Sequence, residues 1–405
     1  MTLCFAAIAV WALCSAGTTP LIDEPDTLEL VESAPIETTL EHADIRNADV
    51  VWLELIRGAQ HTLDFAEFYS HDQAPSPFTP VIEAVEAAAD RGVHVRFVGE
   101  QKFVKTYPEL LERFEKHKNF EVRRLDFGKL AGGGILHAKW FIVDGEQVYI
   151  GSQNFDWRSF EHIQELGVRV HSKVVAQAFA PVFELDWKAA GGERPVKAEL
   201  PPDAGPAAFV NLRFAGEDER VLPLASPREL VTGGCVWELP QIVKLIDGAK
   251  TSVRVQLLTY KSSGGKEYFD ELETPLRRAA ARGAKVELLV ADWGKRKGTI
   301  EGLQSLQCIP NITVKLVTIP AWAGGYVSFA RVVHAKYCVV DGVKAWIGTS
   351  NWEKDYFYKS RNVGFLVEGK AFAERLDKFF ADGWSSSYAT VVDPSAKYEA
   401  PRTGD

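Results

Sequence analysis

The feature that most limits what this chain can fold into is an internal repeat. An amphipathic segment from Trp52 to Ala59, read as a helix ending at a glycine cap, precedes the apolar run Leu63–Ala66, and both are echoed by Ile242 to Ala249 and then Val253–Leu258. Ala87–Phe97 and Ala279–Leu288 repeat next, each reading as a helix, a glycine stop and an alternating strand. A third block, His137–Asn154, matches His334–Asn351. The copies are offset by 190 residues at Gly58 and Gly248, by 191 at Gly92 and Gly283, and by 197 at His137 and His334. A register held that far is the mark of a duplicated unit. Helices and strands that alternate in each copy predict an α/β fold: two tandem lobes related by a pseudo-dyad, each a mixed β-sheet flanked by helices.

A chain of 405 residues also exceeds what one core ordinarily holds. The lobes are expected at 47–190 and 234–390, joined by a connecting segment, 191–233, with the turn chemistry of Gly191, Pro195, Pro201, Pro202 and Pro206. Residues 17–46 are acidic and lack sustained periodicity, which predicts an extended N-terminal segment, and 391–405 reads as a polar tail. Leu3–Ala16 is apolar, ends in small residues and is short for a membrane span. It predicts a signal peptide over residues 1–16 and an exported protein, periplasmic or secreted, although no Lys or Arg precedes it. Cys4 and Cys14 lie in this run. Cys235, Cys308 and Cys338 have no metal-ligand spacing and read as small apolar residues. The net charge of −9 argues against a broad basic surface for duplex nucleic acid, so a phosphate must be met locally.

The third block carries the chemistry. His137 and Lys139 alternate on a strand and so share a face, as do His334 and Lys336. Val143-Asp144-Gly145 and Val340-Asp341-Gly342 give a strand and a hairpin turn, where Asp144 and Asp341 are expected to be structural. Gly151-Ser152-Gln153-Asn154 and Gly348-Thr349-Ser350-Asn351 close the blocks with a glycine that lets backbone approach a ligand, then hydroxyl and amide groups. Each copy thus offers half of a phosphate site. Two halves meeting at the lobe interface would set two lysines and two asparagines around the phosphoryl oxygens, with no metal cluster and no cofactor. One imidazole would attack phosphorus while the other protonates the leaving oxygen and then activates water, duties that a pKa near neutrality suits.

These motifs resemble the phospholipase D superfamily, whose HxKxxxxD followed by GSxN or GTxN stands here twice. The phrases Leu136–Trp140, Gly151–Ser159, Gln164–Val168, Ala330–His334, Gly348–Trp352 and Asp355–Phe357 are similar to the branch of lysosomal phospholipases D three and four, 5′ exonucleases on single-stranded DNA and RNA. The resemblance spans about residues 48 to 390. It implies a covalent phosphohistidine intermediate, with His137 the nucleophile and His334 the acid/base, an assignment that symmetry leaves open. It also implies that Glu165, eleven residues past Asn154, orients a catalytic imidazole. The matching position in the second copy is Asn362, so the two imidazoles should differ in pKa, as separate acid and base roles need.

Ser152, Thr349, Ser350, Trp157, Trp352 and Tyr356 are candidates for substrate contact, and Trp322, Tyr69 and Phe357 are further aromatics for stacking or for an acyl groove, each set against a core role. Three functions fit: a nuclease on single strands, a phospholipase D or transphosphatidylase on lipid headgroups with peripheral membrane contact, and a relative that binds phosphate or lipid without turnover. The branch likeness favours the first. Oligomeric state is not legible.

Overall fold

The computed structural model describes residues 26–194, 208–264 and 267–404, so the expected signal peptide and its two cysteines lie outside the described residues. Strand β1 (Thr27–Ser33) leads to helix α1 (Ala48–Gly58), β2 (Thr62–Glu67), α2 (Thr79–Asp90), β3 (His94–Glu100) and β4 (Phe120–Leu125). The hairpin β5 (Lys139–Val143) and β6 (Gln147–Gly151) follows, then β7 (Glu165–His171) and the long helix α3 (Lys173–Ala190). Strands β8 (Val210–Phe214) and β9 (Glu217–Ser226) connect to α4 (Glu238–Asp247), β10 (Ser252–Leu257), α5 (Glu273–Ala281), β11 (Lys285–Ala291), α6 (Ile300–Gln307) and β12 (Ile312–Val317). The second hairpin, β13 (Tyr337–Val340) and β14 (Lys344–Gly348), precedes β15 (Asn362–Glu368), α7 (Lys370–Ser385) and β16 (Ala389–Val391).

The strands form one sheet that mirrors itself about its middle: β4-β3-β2-β5-β6-β7-β1-β8-β9-β15-β14-β13-β10-β11-β12-β16. In each half the first three strands are parallel, as helical crossovers require, and the hairpin strands antiparallel. This is the mixed sheet expected of each lobe. Strand β1 lies antiparallel to β7 with Ser33 opposite Glu165, and β9 takes the same place beside β15 with Ser226 opposite Asn362. The repeat therefore contains a strand in each segment read as extended or connecting. β1 is held by Leu28 and Leu30 turned into the core, and β9 runs through Pro223.

The turns follow their sequences. Asp144 and Gly145 both have positive φ, as do Asp341 and Gly342, which is the geometry of a tight hairpin turn. The helix ends differ from expectation at two glycines. Gly58 is the last helical residue of α1 and Gly248 has φ −75°, so neither is a left-handed cap. The guanidinium of Arg91 instead donates to the carbonyls of Ile56, Arg57 and Ala59, and Arg282 does the same for Ile246, Asp247 and Ala249. A cation at a helix C-terminus satisfies its free carbonyls and its dipole together.

An outer core lies under α1 and α2 in one lobe and under α4, α5 and α6 in the other. A central core belongs to both: Trp140, Phe179 and Phe183 pack in one cluster with Tyr337, Phe365 and Phe379. Within it Arg361 forms a double ion pair with Asp186 across the lobes, both side chains 0% exposed. Among the described residues Cys235, Cys308 and Cys338 are free, the first and last buried, and no helix is long and apolar enough to cross a membrane.

Candidate active site

The two lobes are tied together through the residues that flank the histidines. The backbone of Leu136 bridges Arg361, and that of Gln164 bridges Val333. His137 donates its N–H to the Arg361 carbonyl at 3.0 Å, and His334 donates to the Gln164 carbonyl at 2.8 Å. Each histidine is thus fixed by the strand entrance of the opposite copy, one residue before the position that meets its ring.

Those next residues hold the imidazoles, and they do so crosswise. Glu165 of the first lobe meets His334 Nδ1 at 2.7 Å, and Asn362 of the second meets His137 Nδ1 at 3.0 Å. The Asn362 amide donates Nδ2–H to the Tyr356 carbonyl and accepts from Thr349 Oγ1, so its Oδ1 faces His137. An oxygen there makes Nδ1 the protonated nitrogen and leaves Nε2 with a free lone pair, the form a nucleophile needs. Glu165 is supported by Ser159 Oγ at 3.1 Å.

Both rings line one cavity of about 330 Å³ together with Asn154 and Asn351. Its walls are otherwise largely apolar and aromatic: Phe68, Tyr69, Phe103 and Tyr107 on the first-lobe side, Leu258, Trp293, Phe329 and Val332 on the second. Tyr356 stands edge-on to His137 with ring centroids 4.8 Å apart. Lys139 and Lys336 are buried beside the cavity, and each ammonium donates to the carbonyl of its own motif histidine.

Other candidates make their contacts within the protein. Ser152 Oγ is engaged by the Leu166 backbone, Thr349 Oγ1 by Asn362 and Val363, and Ser350 Oγ by Glu238. Of the three, Thr349 braces the amide that meets His137, and Ser152 braces the strand just after Glu165. Trp352 is buried in the second outer core and Trp157 in the first, because each follows its asparagine motif back into its own lobe. Asp144 accepts from the backbone N–H groups of Gln60, His61 and Thr62, and Asp341 from those of Lys250, Thr251 and Ser252. Each clamps the hairpin turn to the start of the neighbouring strand.

Phe103, Tyr107, Arg158, Trp293 and Phe329 line the cavity and were not singled out from sequence. Nor was Glu67, which is fully buried and directly opposite Lys139 in the ladder. It follows Leu63 and Phe65 on the inward face of β2, and a carboxylate at a third inward position is the signal that marks it.

Burial dominates the electrostatics. It holds the His137 and His334 imidazoles well below the ordinary range, with Lys139 and Lys336 adding to the effect. It brings Lys139 down to about 7 against the pull of Glu67 and Glu165, and lowers Lys336 well below its usual value. It pushes Glu165 up to about 8 and Glu67 well above the carboxylate range. Close to neutral pH burial therefore favours the uncharged forms of these groups. An anion seated among these groups raises all of their pKa values, so binding takes protons up. Titration with orthovanadate or tungstate near pH 7.5, in buffers of different ionisation enthalpy, should report uptake of about one proton or more. Zero uptake or release would contradict this picture. Among the described residues no group of three or more His, Cys, Asp or Glu side chains is placed to hold a metal ion.

Comparison with known proteins agrees with the two-lobe fold. The family described as "Cardiolipin synthase, PLD-like domain" matches residues 52–187 and 242–384, one match per lobe. The chain is 30% identical to the rat protein named 5′-3′ exonuclease PLD3, over 92% of this chain and 82% of the relative. It is 28% identical to Phospholipase D Z of Dictyostelium discoideum, over 90% of this chain and 91% of the relative. The solved phosphatidylserine synthase of Haemophilus influenzae shares the fold at a TM-score of 0.59 and 11% identity, covering 86% of this chain and 85% of its own.

Proposed function

This chain belongs to the phospholipase D superfamily and is a phosphodiester hydrolase, and from that we propose that it acts through a covalent phosphohistidine, without a metal, as a 5′ exonuclease on single-stranded DNA or RNA. The observation that carries the mechanism is the crosswise pairing of two imidazoles on one cavity, one against an amide oxygen and the other against a carboxylate. His137, with Nε2 unprotonated, attacks phosphorus. The bond from phosphorus to the leaving oxygen breaks as that oxygen takes a proton from His334, whose imidazolium Glu165 stabilises. Water, deprotonated by His334, then attacks phosphorus and breaks the N–P bond. Lys139, Lys336, Asn154 and Asn351 stabilise the charge on the phosphoryl oxygens; the lysines, drawn down by burial, regain their protons as the anion arrives.

The nuclease reading is supported by the name of the rat relative and by the rings of Tyr69, Phe103 and Tyr107 on the cavity wall, which suit bases. The mostly apolar lining favours a second reading, a phospholipase D or transphosphatidylase, in keeping with the name of the Dictyostelium relative. Purified protein in EDTA, given a 5′-hydroxyl single-stranded oligonucleotide or phosphatidylcholine with ethanol, separates them. Stepwise nucleotide release supports the first and phosphatidylethanol the second. Folded protein silent toward both would leave only binding. Export from the cell, with peripheral membrane contact, belongs to the same reading.

Glu165→Gln tests the acid role. Without the carboxylate the His334 imidazolium is less stable, so kcat should fall on the order of a hundredfold, within the range of acid–base assistance. The alkaline limb of kcat/KM against pH should move to lower pH. A limb left in place would show that Glu165 does not tune the acid.

A further inference from the structure

On its second-lobe side the cavity wall joins exposed rings and cations that the reaction itself does not use. Trp293 and Phe329 stand on that wall with ring centroids 6.5 Å apart. Arg296 lies over the Trp293 ring at 4.8 Å, and Arg402, from the C-terminal tail, lies over Tyr326 at 4.0 Å. Tyr326 is 45% exposed and Phe329 47%, whereas the rings of the first-lobe wall are half-buried. Lys297 is exposed beside Arg296, in a run of three basic residues on a chain whose net charge is −9.

The surface is also held in place. Arg296 donates to Thr403 Oγ1 at 2.7 Å, the Phe329 N–H donates to the Thr403 carbonyl, and the Tyr326 hydroxyl to the Gly404 carbonyl. Phe329 and Arg331 both have positive φ, 56° and 58°, a conformation that a bulky residue keeps only where its surroundings impose it. That backbone sets the Phe329 ring at the mouth of the cavity.

Alternating rings and fixed cations beside a phosphodiester site are the chemistry that recognises a single strand, by stacking on bases and pairing with phosphates. Resting on the nuclease reading, we infer that Trp293, Arg296, Lys297, Tyr326, Phe329 and Arg402 form a rail for the nucleotides 3′ of the scissile phosphate, the part of the strand that stays after each cut. A dinucleotide is too short to reach along it. A longer strand gains affinity from it, with a dependence on salt that a short substrate lacks.

The test compares kcat/KM for a dinucleotide and for a single strand of about sixteen nucleotides, at several salt concentrations. The wild type should prefer the longer strand. The double charge reversal Lys297→Glu with Arg402→Glu, at exposed positions where folding is undemanding, should cut that preference roughly tenfold or more and flatten its salt dependence. Lys102 is exposed, with its ammonium 5.8 Å from the ring of Phe103 on the first-lobe wall, and Lys102→Glu, serving as the comparison, should keep the preference. A wild type with no preference, a double variant that retains it, or a Lys102→Glu variant that loses it would overturn the rail. If the double variant instead loses binding to phosphatidylserine vesicles while its length preference persists, the surface faces lipid and the inference fails. Should the wild type hydrolyse a small chromogenic diester but no oligonucleotide, the nuclease reading falls, and the rail with it.

Discussion

His334→Ala is expected to stop the enzyme halfway. Given a diester whose leaving group is p-nitrophenolate, which needs no proton to depart, His137 still attacks and releases about one equivalent of chromophore. The adduct then persists, because no base remains to activate water. Turnover of an ordinary diester should fall by about 10⁴-fold, since both departure of a basic alkoxide and attack by water depend on this ring. His137→Ala should give neither burst nor adduct. The readout is rapid-quench chromophore release with intact-protein mass spectrometry under alkaline conditions, where phosphohistidine survives. A burst in His137→Ala and none in His334→Ala would exchange the two roles. No adduct in either would remove the covalent path.

Arg361→Met should cause the largest loss of stability, on the order of 3–5 kcal/mol, because it strands Asp186 as an unpaired charge in the central core. Burial already raises the Asp186 carboxyl against the opposing pull of Arg361, so without that partner it must take up a proton or draw in water. The melting temperature should drop by roughly 5 °C. The double variant Asp186→Leu with Arg361→Met should recover most of the loss, since two apolar groups satisfy each other where one charge cannot. Arg361 also donates two bonds to the Ser226 and Leu230 carbonyls, which the double variant does not restore. A single variant as stable as the wild type would show that the pair does not hold the lobes.

The duplication, the lobes' mixed sheets and the paired motifs were legible because they rest on local patterns: glycine positions, strand alternation and fixed spacing. What was not legible depends on placement. Counting from Asn154 finds Glu165, but only the fold reveals that it serves the histidine of the other copy, because each ring is held across the lobe boundary. Ser152, Thr349 and Ser350 are hydroxyls beside a glycine, a pattern that fits a ligand site and an internal brace equally well; their bonds to Leu166, Asn362 and Glu238 decide for the brace. Strand β1 was obscured because Glu29 and Glu32 break up its apolar side chains, and Glu32 is buried against His42. Strand β9 was obscured by Pro223, a residue that normally argues against a strand within a sheet. The cavity's outer rings come from loops and single-turn helices, too short for periodicity to announce them.

The measurement that bears most directly on the mechanism is a crystal structure with orthovanadate bound. One vanadium is expected between the two rings, bonded to His137 Nε2, with the opposite apical oxygen within hydrogen-bond reach of His334 Nε2 and both asparagines on the equatorial oxygens. Vanadate held by one histidine alone, with the other ring turned to a separate space, would contradict it.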